Sequence, residues 1–223
     1  MSGMNQWWPL FQLRLQTPRL ELRLASDSDL DALASLAASG VHDPAVQPFA
    51  FPWTDLPPQE RARSVLQYHW RQRGTWKPES WTFDFAVVRD GIVVGTQGIS
   101  ARDFAVLREV STGSWLGRDH HGVGTGTEMR AAVLHLAFAG LGAQYATSGA
   151  FADNLASLGV SRKLGYTEDG AERHVSRGQP ATTTRLRLDR ATWESTHAVP
   201  VTITGLEPCL PMFGLAAGRC HAG

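Results

Sequence analysis

A glycine-rich run, His121-Gly122-Val123-Gly124-Thr125-Gly126-Thr127, is the stretch of this 223-residue chain best suited to hold a phosphate. Residues 111–116 before it alternate as a strand does, and residues 128–138 after it have the spacing of a partly buried helix. At such a strand-to-helix turn, the first backbone N–H groups of the helix lack partners and the helix dipole adds about half a positive charge. Because glycine lets an anion approach bare backbone, the run predicts a pyrophosphate site. The alternative is a tight turn that binds nothing.

The spacing of residues around the glycines also tests two other kinds of phosphate-binding loop. A Walker loop ends in Gly-Lys-Ser/Thr, and the two lysines of the chain, Lys77 and Lys163, lie far from the glycines. A dinucleotide-binding loop starting at Gly122 needs a glycine where Thr127 stands, and it needs an acidic residue about 20 positions later. The spacing therefore excludes a Walker loop and disfavours a dinucleotide-dependent oxidoreductase.

The charge balance argues against nucleic-acid and membrane partners. Basic and acidic side chains number 21 each, so no net field attracts a polyanion or an acidic lipid surface. No run approaches the roughly 18 apolar residues of a membrane span, and the N-terminus does not read as a signal peptide. The two cysteines, Cys209 and Cys220, show no metal spacing and suit a reducing compartment. We expect a cytoplasmic protein with small or neutral partners, from a GC-rich bacterial genome because arginine far outnumbers lysine.

Hydrophobic periodicity and turn residues predict an alternating order of strands and helices. The predicted elements are a strand at 20–24, a helix capped by Asp27 or Ser28 and ending at Gly40, an aperiodic loop rich in proline and aromatic residues at 42–53, a helix at 58–72, a hairpin of strands 81–89 and 92–100, a strand at 109–116, the helix after the glycines, a strand at 143–150, a helix at 155–164, a hairpin of strands 172–177 and 182–189, and a tail strand at 199–204.

The order of these elements resembles the GNAT family of acyl-CoA-dependent N-acyltransferases. The family's phosphate loop reads Gln/Arg-x-x-Gly-x-Gly/Ala, and the run 121–126 matches it with histidine in the first place. Residues 154–166 resemble the family's Asn-x-x-Ser followed by Lys-Leu-Gly-Tyr/Phe. The resemblance implies an α+β fold with a mixed, mainly antiparallel central sheet that is splayed in the middle and covered by helices on both faces. It covers 17–193, which leaves an N-terminal arm at 1–16 and a C-terminal tail at 194–223.

Two further segments narrow the resemblance. Thr17-Pro18-Arg19-Leu20 and the segment 187–193 look like the branch that includes the ribosomal-protein alanine acetyltransferases. The whole chain looks like actinobacterial members of that branch, some of which are thought to accept succinyl-CoA. The resemblance therefore implies transfer of an acetyl or succinyl group from coenzyme A to a primary amine by direct attack. Whether the protein forms a homo-oligomer is left open.

The resemblance also implies a donor site. Backbone of the run 121–127 holds the pyrophosphate, so valine at Gly124 or Gly126 is expected to fill the phosphate space. The pantetheine arm adds to the sheet like a short strand along Ser114, Trp115 and Leu116. The polar groups of Asn154 and Ser157 are expected to meet the pantetheine or phosphate region, with simple helix capping by Asn154 as the alternative.

Acid–base chemistry is the least complete part of the pattern. Many relatives carry a tyrosine where Ser161 stands, and relatives of this branch often carry glutamate where Ser111 stands. Ser161 is the candidate proton donor, and Glu109 and Asp84 are the candidate substitutes for the base. The missing groups keep a second hypothesis open, namely an acyl-CoA-binding regulatory module without turnover. No histidine spacing matches a metal site, so no metal is expected.

The acceptor is expected to be a weakly basic amine. Without a strong base, an α-amine of pKa about 8 is unprotonated far more often at neutral pH than a lysine side chain of pKa about 10.4. Trp53, Phe83, Asp84 and Phe85 are predicted to frame the acceptor pocket, with Asp84 holding the cationic amine. We therefore expect a peptide N-terminus or a small amine, with an aminated antibiotic as the runner-up, and a rate that rises toward the pKa of the acceptor.

Overall fold

The computed structural model describes residues 4–196 and 199–216. Within these ranges the chain forms nine strands, which are β1 (Arg14–Gln16), β2 (Leu20–Leu24), β3 (Ser80–Arg89), β4 (Ile92–Arg102), β5 (Glu109–Leu116), β6 (Tyr145–Phe151), β7 (Thr167–Ser176), β8 (Gln179–Asp189) and β9 (Thr202–Thr204). They join in one sheet in the order β7-β8-β6-β5-β4-β3-β2-β1-β9. Neighbouring strands run antiparallel except β5 and β6, which are parallel.

In the described part of the chain, seven α-helical segments accompany the sheet: α1 (Met4–Trp7), α2 (Asp27–Ser39), α3 (Pro58–Gly74), α4 (Phe104–Leu107), α5 (Thr125–His135), α6 (Leu155–Lys163) and α7 (Arg190–Ser195). Short 3-10 turns lie at Pro9–Gln12, Trp53–Asp55, Arg118–His120 and Glu207–Phe213, and α5 runs on into a π turn at Leu136–Gly140. No helix among the described residues is both long and apolar enough to cross a membrane.

Helices cover both faces of the sheet. On one face, Met129 and Val133 of α5 pack with Phe83 and Phe85 of β3 in the larger buried cluster. On the other face, Leu30 of α2 belongs to a second cluster with residues of α3 and the opposite side of β3. Since successive side chains of a strand point to opposite faces, β3 contributes to both clusters. The predicted α+β fold is confirmed.

The sheet is open between β5 and β6. Their pairing joins Glu109 through Ser111 to Tyr145 through Thr147 and goes no further. Beyond that point β5 continues to Leu116 paired with β4 alone, and β6 continues to Phe151 paired with β8 alone. Each strand therefore presents one unpaired edge to a gap, which we call the β5–β6 gap, and the predicted splay in the middle of the sheet is confirmed.

Several element boundaries differ from the prediction. Ser26, rather than Asp27 or Ser28, caps α2, because its hydroxyl accepts the Asp29 amide while the Asp29 carboxylate accepts the Ser26 amide. The central helix begins at Thr125, so it includes part of the glycine run. The predicted tail strand is confined to β9, which pairs with β1 at the edge of the sheet. Segments from both ends of the chain thus complete that edge.

Candidate active site

The glycine run forms a backbone cradle at the start of α5. Gly122 and Gly124 have φ angles of +76° and +83°, which non-glycine residues rarely adopt. Gly124 is the N-cap of α5, and no side chain caps the helix there. The first amide groups of α5 are therefore free of side-chain partners and suited to an anion. His121 Nε2 lies 3.0 Å from the Leu116 carbonyl oxygen, and contact of its side chain with a donor stays a prediction.

Gly126 serves packing as well as the cradle. A Cβ at Gly126 would meet Val160 Cγ2 at 3.6 Å and Leu116 Cδ1 at 3.9 Å. A side chain at this position would therefore contact α6 and β5 at ordinary packing distances. That valine at Gly126 fills the phosphate space stays a prediction. At Gly124 a Cβ would instead lie 3.2 Å from Arg19 Nη2.

A buried carboxylate connects the glycine run to residues 17–19. Glu128, on the first turn of α5, is 6% exposed. Its Oε1 accepts the Thr17 hydroxyl at 2.6 Å and the Arg19 amide at 3.1 Å, and its Oε2 accepts Arg19 Nε at 2.6 Å. Arg19 also donates to the Val123 carbonyl oxygen at 3.0 Å. The Thr17-Pro18-Arg19 segment thus ties the start of β2 to the glycine run.

A layer of buried polar side chains lies beneath the β5–β6 gap on the α5 and α6 side. Arg130 donates from Nη1 to the Ser161 hydroxyl at 2.9 Å and from Nη2 to the Ser114 hydroxyl at 3.4 Å. Ser161 in turn donates to the Ser157 carbonyl at 3.1 Å and is fully buried. The Tyr166 hydroxyl lies 3.2 Å from Thr112 Oγ1. The layer therefore joins β5, α5 and α6 under the unpaired edge of β5.

The other face of the sheet carries a cavity of about 740 Å³. Its walls come from the loop 49–56 and α3, and its floor from β3, β4 and β5. The lining includes the aromatic side chains Phe49, Phe51, Trp53 and Tyr68. At the β5 end it reaches Gly113, Ser114 and Trp115, the residues next to the β5–β6 gap. The cavity therefore extends from the aromatic loop to the unpaired edge of β5.

Asp84 is the carboxylate among the described residues that line this cavity. It is 8% exposed, and its Oδ2 has no hydrogen-bond partner. Burial raises the pKa of Asp84 to about 6, against the lowering effect of the Tyr68 hydroxyl. A Cβ at Gly98 would lie 2.6 Å from Asp84 Oδ1, so the missing side chain leaves room for the carboxyl group. His69 lines the same cavity, and burial lowers its pKa to about 4, which keeps it neutral near pH 7.

Comparison with known proteins agrees with this arrangement. Residues 19–167, more than half of the chain, match the family model described as an acetyltransferase (GNAT) domain. The chain belongs to the GNAT acetyltransferase family.

Solved structures of other GNAT proteins share the fold. Mycobacterium smegmatis RimJ in complex with CoA-disulfide has a TM-score of 0.70 at 18% identity, over 92% of this chain and 95% of its own. RimL, a ribosomal L7/L12 alpha-N-protein acetyltransferase in complex with coenzyme A, has a TM-score of 0.61 at 18% identity, over 78% and 95%. A GCN5-related N-acetyltransferase from Brucella melitensis has a TM-score of 0.65 at 20% identity, over 82% and 81%. At these identities the likeness concerns the fold alone.

The GNAT fold of this chain separates the predicted acceptor residues. Trp53 lines the cavity and packs against Phe49 and Trp115, with ring centroids 5.4 and 5.6 Å apart. Phe83 and Phe85 point to the other face of β3, where they are 1% and 0% exposed in the core. The expectation that these two phenylalanines frame the pocket is wrong, because both faces of β3 are buried and the alternation of side chains alone did not show which face holds the cavity.

Glu109 lies at the far end of β5 from the glycine run. Its carboxylate pairs with Arg187 at 3.1 Å and is about 38% exposed. Glu109 is not among the residues that line the cavity with Asp84. Ser111, where relatives often carry glutamate, does line that cavity. The cavity therefore has a serine at the position where those relatives have a carboxylate. A catalytic role for Glu109 stays a prediction.

Asn154 and Ser157 occupy the start of α6. The Asn154 side chain accepts the Ser157 amide at 3.1 Å, which is the capping geometry of the alternative interpretation. Ser161 follows Ser157 by one helical turn and donates to its carbonyl oxygen at 3.1 Å. Their contact with a donor stays a prediction.

Other potentially reactive groups lie apart from the cavity. No group of three or more His, Cys, Asp or Glu side chains in 4–196 and 199–216 has the arrangement of a metal site. Cys209 is a buried free thiol whose pKa burial raises to about 12, and Cys220 lies outside the described residues.

Sequence reasoning missed two groups of this site, Arg130 and Tyr68. Both lie on predicted helices. Polar residues surround Tyr68 in the sequence, whereas Arg130 stands alone among Met129, Ala131 and Ala132, and this isolation is the local signal that could have indicated it. Their partners are identified only in the folded structure, where each contacts a buried polar group from a distant part of the chain.

Proposed function

We propose that this GNAT protein transfers an acetyl or succinyl group from coenzyme A to a primary amine by direct attack. The observation that carries the proposal is that a single cavity contains Asp84 and also reaches the unpaired edge of β5 at Gly113 and Ser114. An amine held by the carboxylate and a thioester held along the strand would therefore meet in one space.

The donor side of the proposal uses backbone and short side chains. The amide groups of the run 121–127 hold the pyrophosphate at the start of α5. The pantetheine arm pairs with Ser114, Trp115 and Leu116, where β5 has no neighbour in the β5–β6 gap. The RimL structure in complex with coenzyme A and the RimJ structure in complex with CoA-disulfide support a donor of this kind.

The acceptor side of the proposal uses the aromatic cavity and Asp84. The carboxylate attracts a cationic amine, while Phe49, Trp53 and Tyr68 surround the rest of the molecule. A cavity of about 740 Å³ holds a small amine or the first residues of a peptide. A peptide α-amine is the acceptor we propose, and the alpha-N-protein activity in the name of RimL supports it.

Asp84 also provides the proton acceptor that the sequence pattern left open. Because its pKa is raised to about 6, it is ionised at neutral pH and can take a proton from the attacking amine. The rate should then rise through about pH 6 and level off below the pKa of the acceptor. Without Asp84 the rate should keep rising toward the acceptor pKa of about 8.

The test is release of free thiol from acetyl-CoA and from succinyl-CoA with peptide and lysine-side-chain amines. Asp84→Asn should lower kcat/KM for a cationic amine by about 10²-fold and move the rising limb from about pH 6 to the acceptor pKa. Its affinity for coenzyme A, measured by calorimetry, should not change. Asp90→Asn is the matched control, because the Asp90 side chain is 85% exposed in the β3–β4 turn.

Binding of acyl-CoA without amine-dependent thiol release would favour the regulatory module instead. Equal pH profiles for the wild type and Asp84→Asn would remove Asp84 as the proton acceptor. Higher kcat/KM for lysine side chains than for α-amines would overturn the proposed acceptor.

A further inference from the structure

Arg130 is a buried guanidinium with neutral partners. It is 5% exposed and donates to the hydroxyl groups of Ser161 and Ser114, while its Nε has no partner. No ion pair among the described residues includes it. The titratable group that faces it is the buried phenol of Tyr166. Burial of an uncompensated charge is costly, so an anion that arrives beside Arg130 would be strongly stabilised.

The place where such an anion can arrive is the β5–β6 gap. Ser114 accepts a hydrogen bond from Arg130 Nη2 and also lines the acceptor cavity, on the part of β5 that no longer pairs with β6. Ser161 accepts Arg130 Nη1 from the side of α6. The guanidinium thus contacts one hydroxyl group on β5, which borders the gap, and one on α6. Glu128, the carboxylate of α5, does not neutralise Arg130, because it is already bound by Thr17 and Arg19.

We propose that Arg130, acting through the Ser161 and Ser114 hydroxyl groups, stabilises the thiolate that leaves during acyl transfer. This inference rests on the proposed function. In the step, the cationic amine first gives one proton to Asp84, and the neutral nitrogen then forms a bond to the thioester carbon as the carbon–sulfur bond breaks. The sulfur leaves with the bonding electron pair, and the second proton of the nitrogen passes to solvent. Arg130 stays protonated throughout, so it is a positioning residue that supplies charge rather than a proton.

The charge of Arg130 makes the two hydroxyl groups better donors. Each hydroxyl oxygen that accepts from a guanidinium is polarised, which strengthens the hydrogen bond its own proton makes. In the structure the Ser161 proton points to the Ser157 carbonyl. Rotation about the Ser161 Cβ–Oγ bond would free this proton for another acceptor while Oγ keeps its hydrogen bond from Arg130.

The test measures the thiol pKa of coenzyme A bound to the full-length protein. Thiolate absorbance is followed against pH as a difference from the complex with desulfo-coenzyme A, which lacks the thiol and cancels the protein signal. A free thiol has a pKa of about 8.5. Bound to the wild type, it should titrate about 1 to 3 units lower.

Two variants of Arg130 and one control refine the measurement. Arg130→Gln should return the thiol pKa to its free value, and Arg130→Lys, which keeps the charge, should restore part of the shift. Arg190→Gln is the matched control, because Arg190 donates to the Phe138 and Ala143 carbonyls away from the gap. Thermal unfolding of each variant shows whether it folds, and a misfolded Arg130→Gln leaves Arg130→Lys as the test.

Measurements of kcat and KM distinguish stabilisation of the thiolate by Arg130 from recognition of the acyl group. Arg130→Gln should lower kcat for acetyl-CoA and succinyl-CoA by the same factor and leave KM unchanged. A loss confined to succinyl-CoA would overturn the inference in favour of a carboxylate site. Binding of coenzyme A with an equal thiol pKa in wild type and Arg130→Gln would also overturn it, whereas no binding at all would contradict the proposed function itself.

Discussion

Among the described residues, each face of the sheet buries one charged side chain that no ion pair neutralises, and the two charges have opposite signs. Asp84 lies on the face of α2 and α3 in an open cavity of about 740 Å³. Arg130 lies on the face of α5 and α6 in a packed layer of hydroxyl groups. Ser114 connects them, because it lines the cavity and also contacts Arg130.

The difference in packing suits two different reactants. An open cavity with one carboxylate tolerates acceptors of several shapes, provided that each carries a cationic amine. A closed layer with one guanidinium accepts one group in one position. This suits the sulfur atom of the donor, which is the same in every reaction. Both charges are costly before the reactants bind, and the cost is offset when an ion of opposite sign arrives.

The comparison predicts that Asp84 destabilises the folded protein at neutral pH. Its folded pKa of about 6 lies above the usual 3.8, so its stabilising contribution is complete below about pH 4 and is lost as the pH rises through 6. Asp84→Asn should therefore raise the free energy of unfolding above pH 6 by up to about 3 kcal/mol. Urea unfolding across this pH range measures the difference.

Asp29→Asn provides the contrast for that measurement. Burial alone would raise the pKa of Asp29, but hydrogen bonds from Arg23 and Ser26 lower it to about 2. Its stabilising contribution is therefore present above about pH 4 and is lost as the pH falls through 2, so this variant should be less stable than the wild type at neutral pH. A loss of stability in Asp84→Asn at neutral pH would contradict the prediction, because Asp84 would then stabilise the folded protein as Asp29 does.

A smaller effect is expected when the carboxyl group is displaced rather than removed. Gly98→Ala places a Cβ 2.6 Å from Asp84 Oδ1, so the carboxylate must shift within the cavity. Displacement of a reacting group by about 1 Å costs roughly 10²-fold in rate, and we expect kcat/KM for the amine to fall by up to this factor. Gly159→Ala on α6 is the control, since a Cβ there meets nothing within 4 Å. Full activity in Gly98→Ala would mean that the position of Asp84 does not matter.

The smallest effect concerns the glycine run on the donor side. Gly124→Ala and Gly91→Ala both place alanine at a positive φ, at +83° and +78°, and each should lose about 1 kcal/mol of stability. Only Gly124→Ala brings a Cβ to within 3.2 Å of Arg19. It should weaken binding of coenzyme A by about tenfold in calorimetry, while Gly91→Ala should bind as the wild type does. Equal affinities would remove the glycine run from the donor site.

The amino-acid sequence determined the features that depend on neighbouring residues. Strand alternation, helix periodicity and the glycines at a strand-to-helix turn are local signals, and the structure has these elements within a few residues of their predicted bounds. The resemblance of two short motifs was enough to predict the splayed sheet. The cap of α2 was predicted one or two residues too late, because Asp27 and Ser28 are as capable of capping as Ser26.

Only the tertiary structure decided which charged groups face each other. Arg130 meets Ser114 and Ser161 across 16 and 31 positions of sequence, and nothing near Arg130 in the sequence indicates those contacts. The alternation of β3 placed Asp84 opposite Phe83 and Phe85 but did not show which side was the cavity, since helices bury both faces of the strand. The free energy of a buried charge depends on everything packed around it, and that surrounding is set when distant segments come together.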